Sequence, residues 1–344
     1  VYIIEGNSFE EVNQKAIMAI LRDGEEVSPR GSKTFELSPA TLVINDARKF
    51  LAMPRLRKGN YTFQLAEALW MLRGSNDLEE IAHYNGVWRY FEDEDNKGIL
   101  NGAYGERLRA WNGDIDQFYE VYKKLKADPY SRQAVMIIFD PERDNEILST
   151  GSYSKDIPCT NYFVFTIRDS KLNMMTVMRS NDLHKGTLYD IPNFMIFQNI
   201  LAGWLEVEVG RYTHVANSFH IYENDVENFI EIYNDKLDTV VYDGKEYGDP
   251  KVSVNEFNQV MAAISTAEMY SRGTETVEVF TENIGSYKNL IEEIDNTWWK
   301  SVCAQIVMYN YRKLGATEEQ FKVFLPYITN EYRKNVENWK ALKK

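Results

Sequence analysis

The stretch from residue 190 to 206 constrains this chain more than any other. It is nearly continuously apolar and too long for a strand, so it reads as a helix covered on all sides. Such a helix needs partners, and its flanks supply them. Residues 134–139 read as a strand. Residues 162–167 and 174–178 read as a hairpin about Asp169-Ser170-Lys171, and residues 212–222 return to strand. The expected fold is α/β: a mixed, twisted sheet flanked by helices, with a helical region added at the C-terminal side.

The rest of the chain fills in around that block. A helix is expected from Asn7, with Glu10 completing a capping box and Phe9, Val12 and Ala16 on its apolar stripe. Residues 28–46 read as a turn, Pro29-Arg30-Gly31-Ser32, and then a strand through Leu42-Val43-Ile44. A second helix covers 61–72, a polar loop 92–98 and a third helix 114–126, closed by Asp128-Pro129. After about residue 250 the pattern becomes helical over 255–271, 286–313 and 317–341, with Thr317 and Gln320 as a capping box. This suggests a catalytic domain over 1–250 and a helical extension over 251–344. Trp298, Trp299, Phe321 and Phe324 are too apolar to stay in water.

The chain has 344 residues and a formal net charge of −13, with no long basic run. That argues against a nucleic-acid surface, which needs clustered Lys and Arg. A small anionic substrate is still compatible, because it needs only a few converging arginines. The two cysteines, Cys159 and Cys303, do not make a disulfide framework. No apolar run is long enough to span a membrane and no signal peptide is read, so a soluble protein of a reducing, cytoplasmic setting is expected. His83, His184 and His214 have no metal-ligand spacing, and no metal is expected.

The residues that carry chemistry fall in one order. Pro158-Cys159-Thr160 is followed by Arg179-Ser180-Asn181-Asp182-Leu183-His184-Lys185-Gly186, then Asp190, then Phe219-His220-Ile221-Tyr222. Upstream lie Glu67-Ala68-Leu69-Trp70 before Arg73-Gly74, then Trp88, Tyr104-Gly105 and Ser131-Arg132. Taken alone, Cys159 is a small hydrophobe as readily as a nucleophile, and Glu67 an ordinary helix glutamate. A Cys-His hydrolase built on Cys159 and His220 lacks a visible orienting group and oxyanion hole.

In their order and spacing these motifs resemble the thymidylate synthase superfamily, which includes the pyrimidine nucleotide hydroxymethylases. The resemblance covers roughly residues 8–235. It implies that Cys159 adds to C6 of a pyrimidine nucleoside monophosphate, activating C5 toward the one-carbon unit of 5,10-methylenetetrahydrofolate. Arg30, Arg132, Arg179 and Ser180 would hold the phosphate. His220 and Tyr222, on one face of a strand, would hold the sugar hydroxyl. Glu67 would organise water near C4, and Tyr104 would assist proton removal at C5. Trp88, Asp182 and Gly186 would line the folate site. Family members are homodimers in which the arginine matching Arg132 reaches across the interface. A cytoplasmic location, the host's for a phage-encoded chain, fits.

The departures from the family are informative. Gln133 replaces a second arginine, and Asp156 and Thr160 flank the nucleophile where apolar and histidine-like residues are usual. The chain closes Ala341-Leu342-Lys343-Lys344, where synthases carry a short apolar tail that shuts the folate site. This disfavours the methylating version of the reaction, which is the alternative reading. At Asp190 the synthases place an asparagine that reads uracil, whereas cytosine-specific hydroxymethylases carry aspartate. The resemblance therefore implies a cytidylate 5-hydroxymethylase, with ribose or deoxyribose left open.

Overall fold

Hydrogen bonding across eight strands builds one mixed sheet. The computed structural model describes residues 1–52, 59–234 and 248–333. The elements run β1 (Tyr2–Gly6), α1 (Phe9–Asp23), β2 (Glu25–Val27), β3 (Thr34–Leu37), β4 (Ala40–Ile44), α2 (Tyr61–Leu72), α3 (Leu78–Ala82), α4 (Tyr104–Arg109) and α5 (Gln117–Ala127). Then come β5 (Val135–Ile137), β6 (Thr160–Arg168), β7 (Lys171–Asp182), α6 (Thr187–Trp204), β8 (Glu208–Tyr222) and α7 (Val226–Asn234). The strand order is β1-β4-β8-β7-β6-β5, with β3 paired to both β2 and β8.

The hairpin β6–β7 turns at Asp169 and Ser170, both left-handed with φ of 50° and 59°. That geometry matches the twist of the strands it joins. At its far end the register shifts between Thr160 and Tyr162. Such an irregularity locally re-aims a strand, and here it lies next to Cys159. Strand β7 continues into α6 and then into β8, which pairs with β7 in parallel. Helix α6 packs on β7 and β8. Fifteen of its 18 residues are buried, so the apolar run is covered on every side as its composition requires.

Contacts divide the chain into two units. One is Val1–Arg57 with Ala66–Val240; the other is Lys58–Leu65 with Val241–Lys344. The second contains α8 (Val254–Gly273), α9 (Val277–Glu282), α10 (Ile284–Glu292), α11 (Thr297–Lys313) and α12 (Glu318–Phe321). Trp298, Trp299, Phe321 and Phe324 are all buried.

Several boundaries differ from the sequence expectation. Helix α1 is capped by Ser8, whose hydroxyl accepts from the Glu11 amide, while the Glu11 carboxylate accepts from the amide of Asn7. The capping pair is therefore one residue later than Asn7 and Glu10. The pattern over 286–313 is two helices, because Asn296 caps a new one by accepting from Trp298 and Trp299. Thr317 and Gln320 do form a reciprocal capping box. The helix expected over 317–341 does not run through: α12 ends at Phe321 and gives way to a 3-10 turn over Lys322–Tyr327 that holds Pro326, and 334–341 lie outside the described residues.

Candidate active site

Cys159 sits one residue before β6, half-buried. Arg179, on β7, is tied to the same turn. Its backbone amide donates to the Cys159 carbonyl at 2.9 Å, and its guanidinium donates to the carbonyls of Pro158 and Ile157, each at 2.9 Å. Arg30 lies in the 29–31 turn with a left-handed φ of 52°, followed by Gly31 at 80°. Both guanidiniums act on the thiol and favour its thiolate, but burial outweighs them. The carboxyls of Asp190 and Asp156 add to burial, so the net effect is a raised thiol pKa. Cationic neighbours by themselves would lower it. Cys303 is fully buried, with its thiol pushed up to about 12, and is inert by comparison.

Tyr104, at the start of α4, presents its phenol to the same turn and accepts from the Thr160 amide at 3.1 Å. Burial, together with the nearby Cys159 and Asp190, holds its pKa well above the usual range, so it stays a neutral phenol. Helix α4 is anchored by a buried fork. Arg107 donates to both oxygens of Asp144 at 2.7 Å and to the carbonyls of Ile138 and Asn101. The Asp156 carboxylate accepts from the Gly102 amide at 2.7 Å, just ahead of α4.

Two carboxyls complete this cluster. Glu67, mid-way along α2, accepts from Asn193 of α6 at 2.8 Å. Asp190, one turn earlier on α6, accepts from Asn181 at 2.8 Å. Each keeps partial contact with solvent yet is surrounded by protein atoms. Burial is the main cause raising both: Asp190 reaches about 7, and Glu67 is pushed well above the usual range by burial and then by Asp190. Oδ1 of Asp190 and Oε1 of Glu67 have no protein partner among the described residues.

His220 and Tyr222 share a face of β8, their rings edge to face at 5.3 Å. The register sets His220 beside Asp182 on β7 and Glu36 on β3. Asp182 accepts from the amides of His184 and Lys185. Beside Tyr222 a cavity of about 530 Å³ is lined by Gly31, Ser32, Lys33, Lys185 and Glu223, among others. Ser180 follows Arg179, opposite Ser218 in the register. Gly186, the N-cap of α6, lies against Asp190 and Asn181. Trp88 is half-buried, 6.0 Å from the ring of Trp70 and 5.8 Å from Phe91. Arg132 is exposed, and no hydrogen bond joins it to this cluster among the described residues.

The structure thus gathers Cys159, Arg30, Arg179, Tyr104, Glu67 and Asp190 into one electrostatic cluster, with His220, Tyr222 and Asp182 on adjoining strands. It adds Asn181, Asn193 and His214, which sequence reasoning had passed over. Asn193 carried a readable signal, since it lies three residues after Asp190 and so on the same helix face. His214 carried none, being one more residue in an alternating strand.

A half-buried thiol between two arginines, beside a neutral phenol and two carboxyls, is equipped for covalent chemistry on an anionic, hydrogen-bonding ring. The chain matches the family model for thymidylate synthase over residues 12–283. It is 33% identical over 284 residues to a deoxyuridylate hydroxymethyltransferase of Bacillus phage SP01, covering 76% of this chain and 72% of that protein. It is 30% identical over 226 residues to a deoxyuridylate hydroxymethyltransferase of Pseudomonas phage M6, covering 64% and 62%. Fold and site define a nucleotide C5 transferase that adds a one-carbon unit to a pyrimidine nucleotide. The chain belongs to the thymidylate synthase family, whose co-substrate is methylenetetrahydrofolate. The family match runs past residue 250, through α8 and α9.

Proposed function

We propose that this protein hydroxymethylates C5 of a pyrimidine deoxynucleoside monophosphate. The observation that carries the reading is that Cys159 lies under the charges of Arg179, Arg30 and Asp190, while Asp190 and its neighbour Glu67 each keep one uncommitted oxygen. Cys159 sulfur bonds to C6 and gives up its proton, and C5 attacks the methylene of methylenetetrahydrofolate. Loss of the C5 proton and departure of tetrahydrofolate leave an exocyclic methylene. Water adds to that methylene, and the sulfur leaves as the ring regains its double bond. Glu67, oriented by Asn193, is the group suited to hold and activate that water. Arg179, Arg30 and Ser180 take the phosphate, and His220 with Tyr222 the sugar. Trp88, Asp182 and Gly186 take the folate.

The names of both relatives support deoxyuridylate as the substrate. A second reading, deoxycytidylate, is favoured by Asp190, because an ionised carboxylate only accepts and suits a 4-amino group. A pKa near 7 leaves both forms of Asp190 populated at neutral pH, and burial is what brings uracil within reach of this side chain. Homodimer formation is supported by the sheet face away from α6. There Tyr162, Val164, Met175, Val177 and Val215 share one face by register and stay partly exposed. Arg132 is then free to serve the partner's phosphate, and a cytoplasmic setting suits both substrates.

The test is product mass after incubation with methylenetetrahydrofolate and dUMP, dCMP or CMP. A hydroxymethyl product carries one oxygen more than a methyl product. Nucleotide-dependent formation of dihydrofolate signals the methylating route, and its appearance in step with product would overturn the hydroxymethylase reading.

A further inference from the structure

Behind Asp190 lies a chain of polar side chains that the reaction itself does not use. Asn181 donates from Nδ2 to Oδ2 of Asp190 at 2.8 Å. Its own Oδ1 accepts from the Thr187 hydroxyl at 2.6 Å and lies 3.2 Å from Nε2 of His214. Nδ1 of His214 is 3.0 Å from the Tyr212 hydroxyl, which is 2.9 Å from Oγ1 of Thr176. All five side chains are at most 2% exposed, so no water competes for these bonds.

The chain has a direction. Burial pushes His214 down to about 3, so its ring is neutral and carries one N–H. The Tyr212 hydroxyl gives its one proton to Oγ1 of Thr176 and meets Nδ1 of His214, and Nε2 lies against Oδ1 of Asn181. With Thr187 donating to the same oxygen, the amide is held oxygen-inward and must present its NH₂ to Asp190. Gly186 makes room for this pair. A Cβ there would stand 3.0 Å from Oδ2 of Asp190 and 3.1 Å from Nδ2 of Asn181.

We propose that Asn181 is the positioning residue of base recognition: held from behind by Thr187 and His214, its amide pins Oδ2 of Asp190 and leaves Oδ1 as the oxygen that meets the 4-substituent of the pyrimidine. This rests on the reading of Asp190 as the base-facing group. Pinning reduces recognition to one atom. As a carboxylate, Oδ1 accepts from the 4-amino group of cytosine. As an acid protonated on Oδ1, it donates to O4 of uracil. The base preferred therefore follows the charge on Asp190, and the hydrogen bond from Asn181 favours the charged form.

The groups facing Asp190 make that balance delicate. Glu67 faces it from α2, Tyr104 from α4, Cys159 from the turn before β6, Asp182 from β7 and Tyr212 from β8. No cation offsets its charge among the described residues. Among the described residues, the donated bond from Asn181 is the one interaction that favours its ionisation.

The experiment compares kcat/KM for dUMP and dCMP across pH in wild type, Asn181→Leu and the milder Thr187→Ala. In wild type the uracil-to-cytosine ratio should fall as pH rises through neutrality. Removing the amide donor leaves Asp190 protonated to higher pH. The crossover in Asn181→Leu should move up by about one unit, a change of about tenfold in the ratio at a fixed pH within the crossover. Thr187→Ala should move it the same way by less. In an Asp190→Asn background the crossover should vanish, and Asn181→Leu should no longer shift the ratio. A merely structural Asn181 would lower both rates and leave the crossover in place, which overturns the proposal. So does a wild-type ratio that ignores pH. Tritium release from C5 is followed in parallel. If wild type releases none from either nucleotide, the C5-transfer reading fails, and the role of Asn181 fails with it.

Discussion

Helices α6 and α11 are both long and mostly buried, but they treat their buried polar groups in opposite ways. In α11, Asn310 donates to Ser271 at 2.8 Å, Gln305 to the hydroxyl and carbonyl of Ser301, and Ser301 meets Thr329. Polar side chains there close on one another, among stacked aromatics such as Phe280 and Tyr311, 4.2 Å apart. In α6, Asn193 and Asp190 engage Glu67 and Asn181 and leave one carboxyl oxygen of each acid uncommitted. Buried polar groups that satisfy each other serve stability and specificity of packing. Buried acids with an oxygen left over are poised for a ligand. Polar groups lodged among protein atoms thus mean structure in one helix and chemistry in the other.

The largest effect belongs to the nucleophile. Cys159→Ser should reduce turnover and C5 tritium release to background while nucleotide binding by calorimetry persists, because the phosphate and sugar contacts are untouched. Tritium release at the wild-type rate would remove Cys159 from the chemistry. The two helices are then separated by a matched pair of substitutions. Trp299→Ala in α11 removes a side chain that is 1% exposed and should cost roughly 3–5 kcal/mol in urea unfolding. Asn193→Leu should cost less stability but lower kcat by about 10²-fold, the scale of one lost general-base contribution, with KM for the nucleotide little changed. Equal losses of stability and activity in both variants would dissolve the distinction drawn between the helices.

The elements that were legible in the sequence are those whose pattern is local. The α6 apolar run, the β6–β7 hairpin, α2 over 61–72 and the Thr317 capping box all follow from periodicity, turn chemistry or a four-residue motif. What escaped depends on partners distant in sequence. Strands β2 and β3 are short and gain their identity only from pairing, β2 with β3 and β3 in turn with β8. Among site residues, Cys159, Arg179 and Asp190 were found through motif order. The Asn181–His214 contact joins two strands 33 residues apart and leaves no trace in either local sequence. The thiol illustrates a different limit. Its arginine neighbours are readable, but the burial that outweighs them is a property of the folded site.

Arg179 tests the charge side of that balance. It favours the thiolate, so Arg179→Ala should raise the thiol pKa further and slow iodoacetamide alkylation of Cys159 at neutral pH. Loss of a charge-assisted phosphate contact should also weaken dUMP binding about tenfold or more, on the scale of 1.5–3 kcal/mol. Buried Cys303 serves as an internal control for alkylation, since it should not react in the folded protein. Unchanged affinity and unchanged alkylation together would make Arg179 a purely structural brace for Pro158 and Ile157.

The smallest expected effect comes from Asp156, and its sign is specific. Its carboxylate raises the thiol pKa, while burial pushes its own up to about 6. Asp156→Asn keeps an oxygen to accept from the Gly102 amide but removes the charge. Above pH 7 wild-type Asp156 is ionised, so the variant should have the lower thiol pKa and alkylate faster, by about twofold for a shift of a few tenths of a unit. Below pH 6 the wild-type carboxyl is itself protonated, and the two rates should converge. Stability should respond in the opposite sense to a salt-bridged acid. Because the folded-state pKa is raised above the unfolded value, the folded protein holds the proton more tightly. Wild type should therefore lose stability relative to the variant as pH rises from about 4 through about 6. A rate ratio that stays flat across this range would mean that the charge on Asp156 does not reach the sulfur. The thiol would then be governed by burial, the arginines and Asp190 alone.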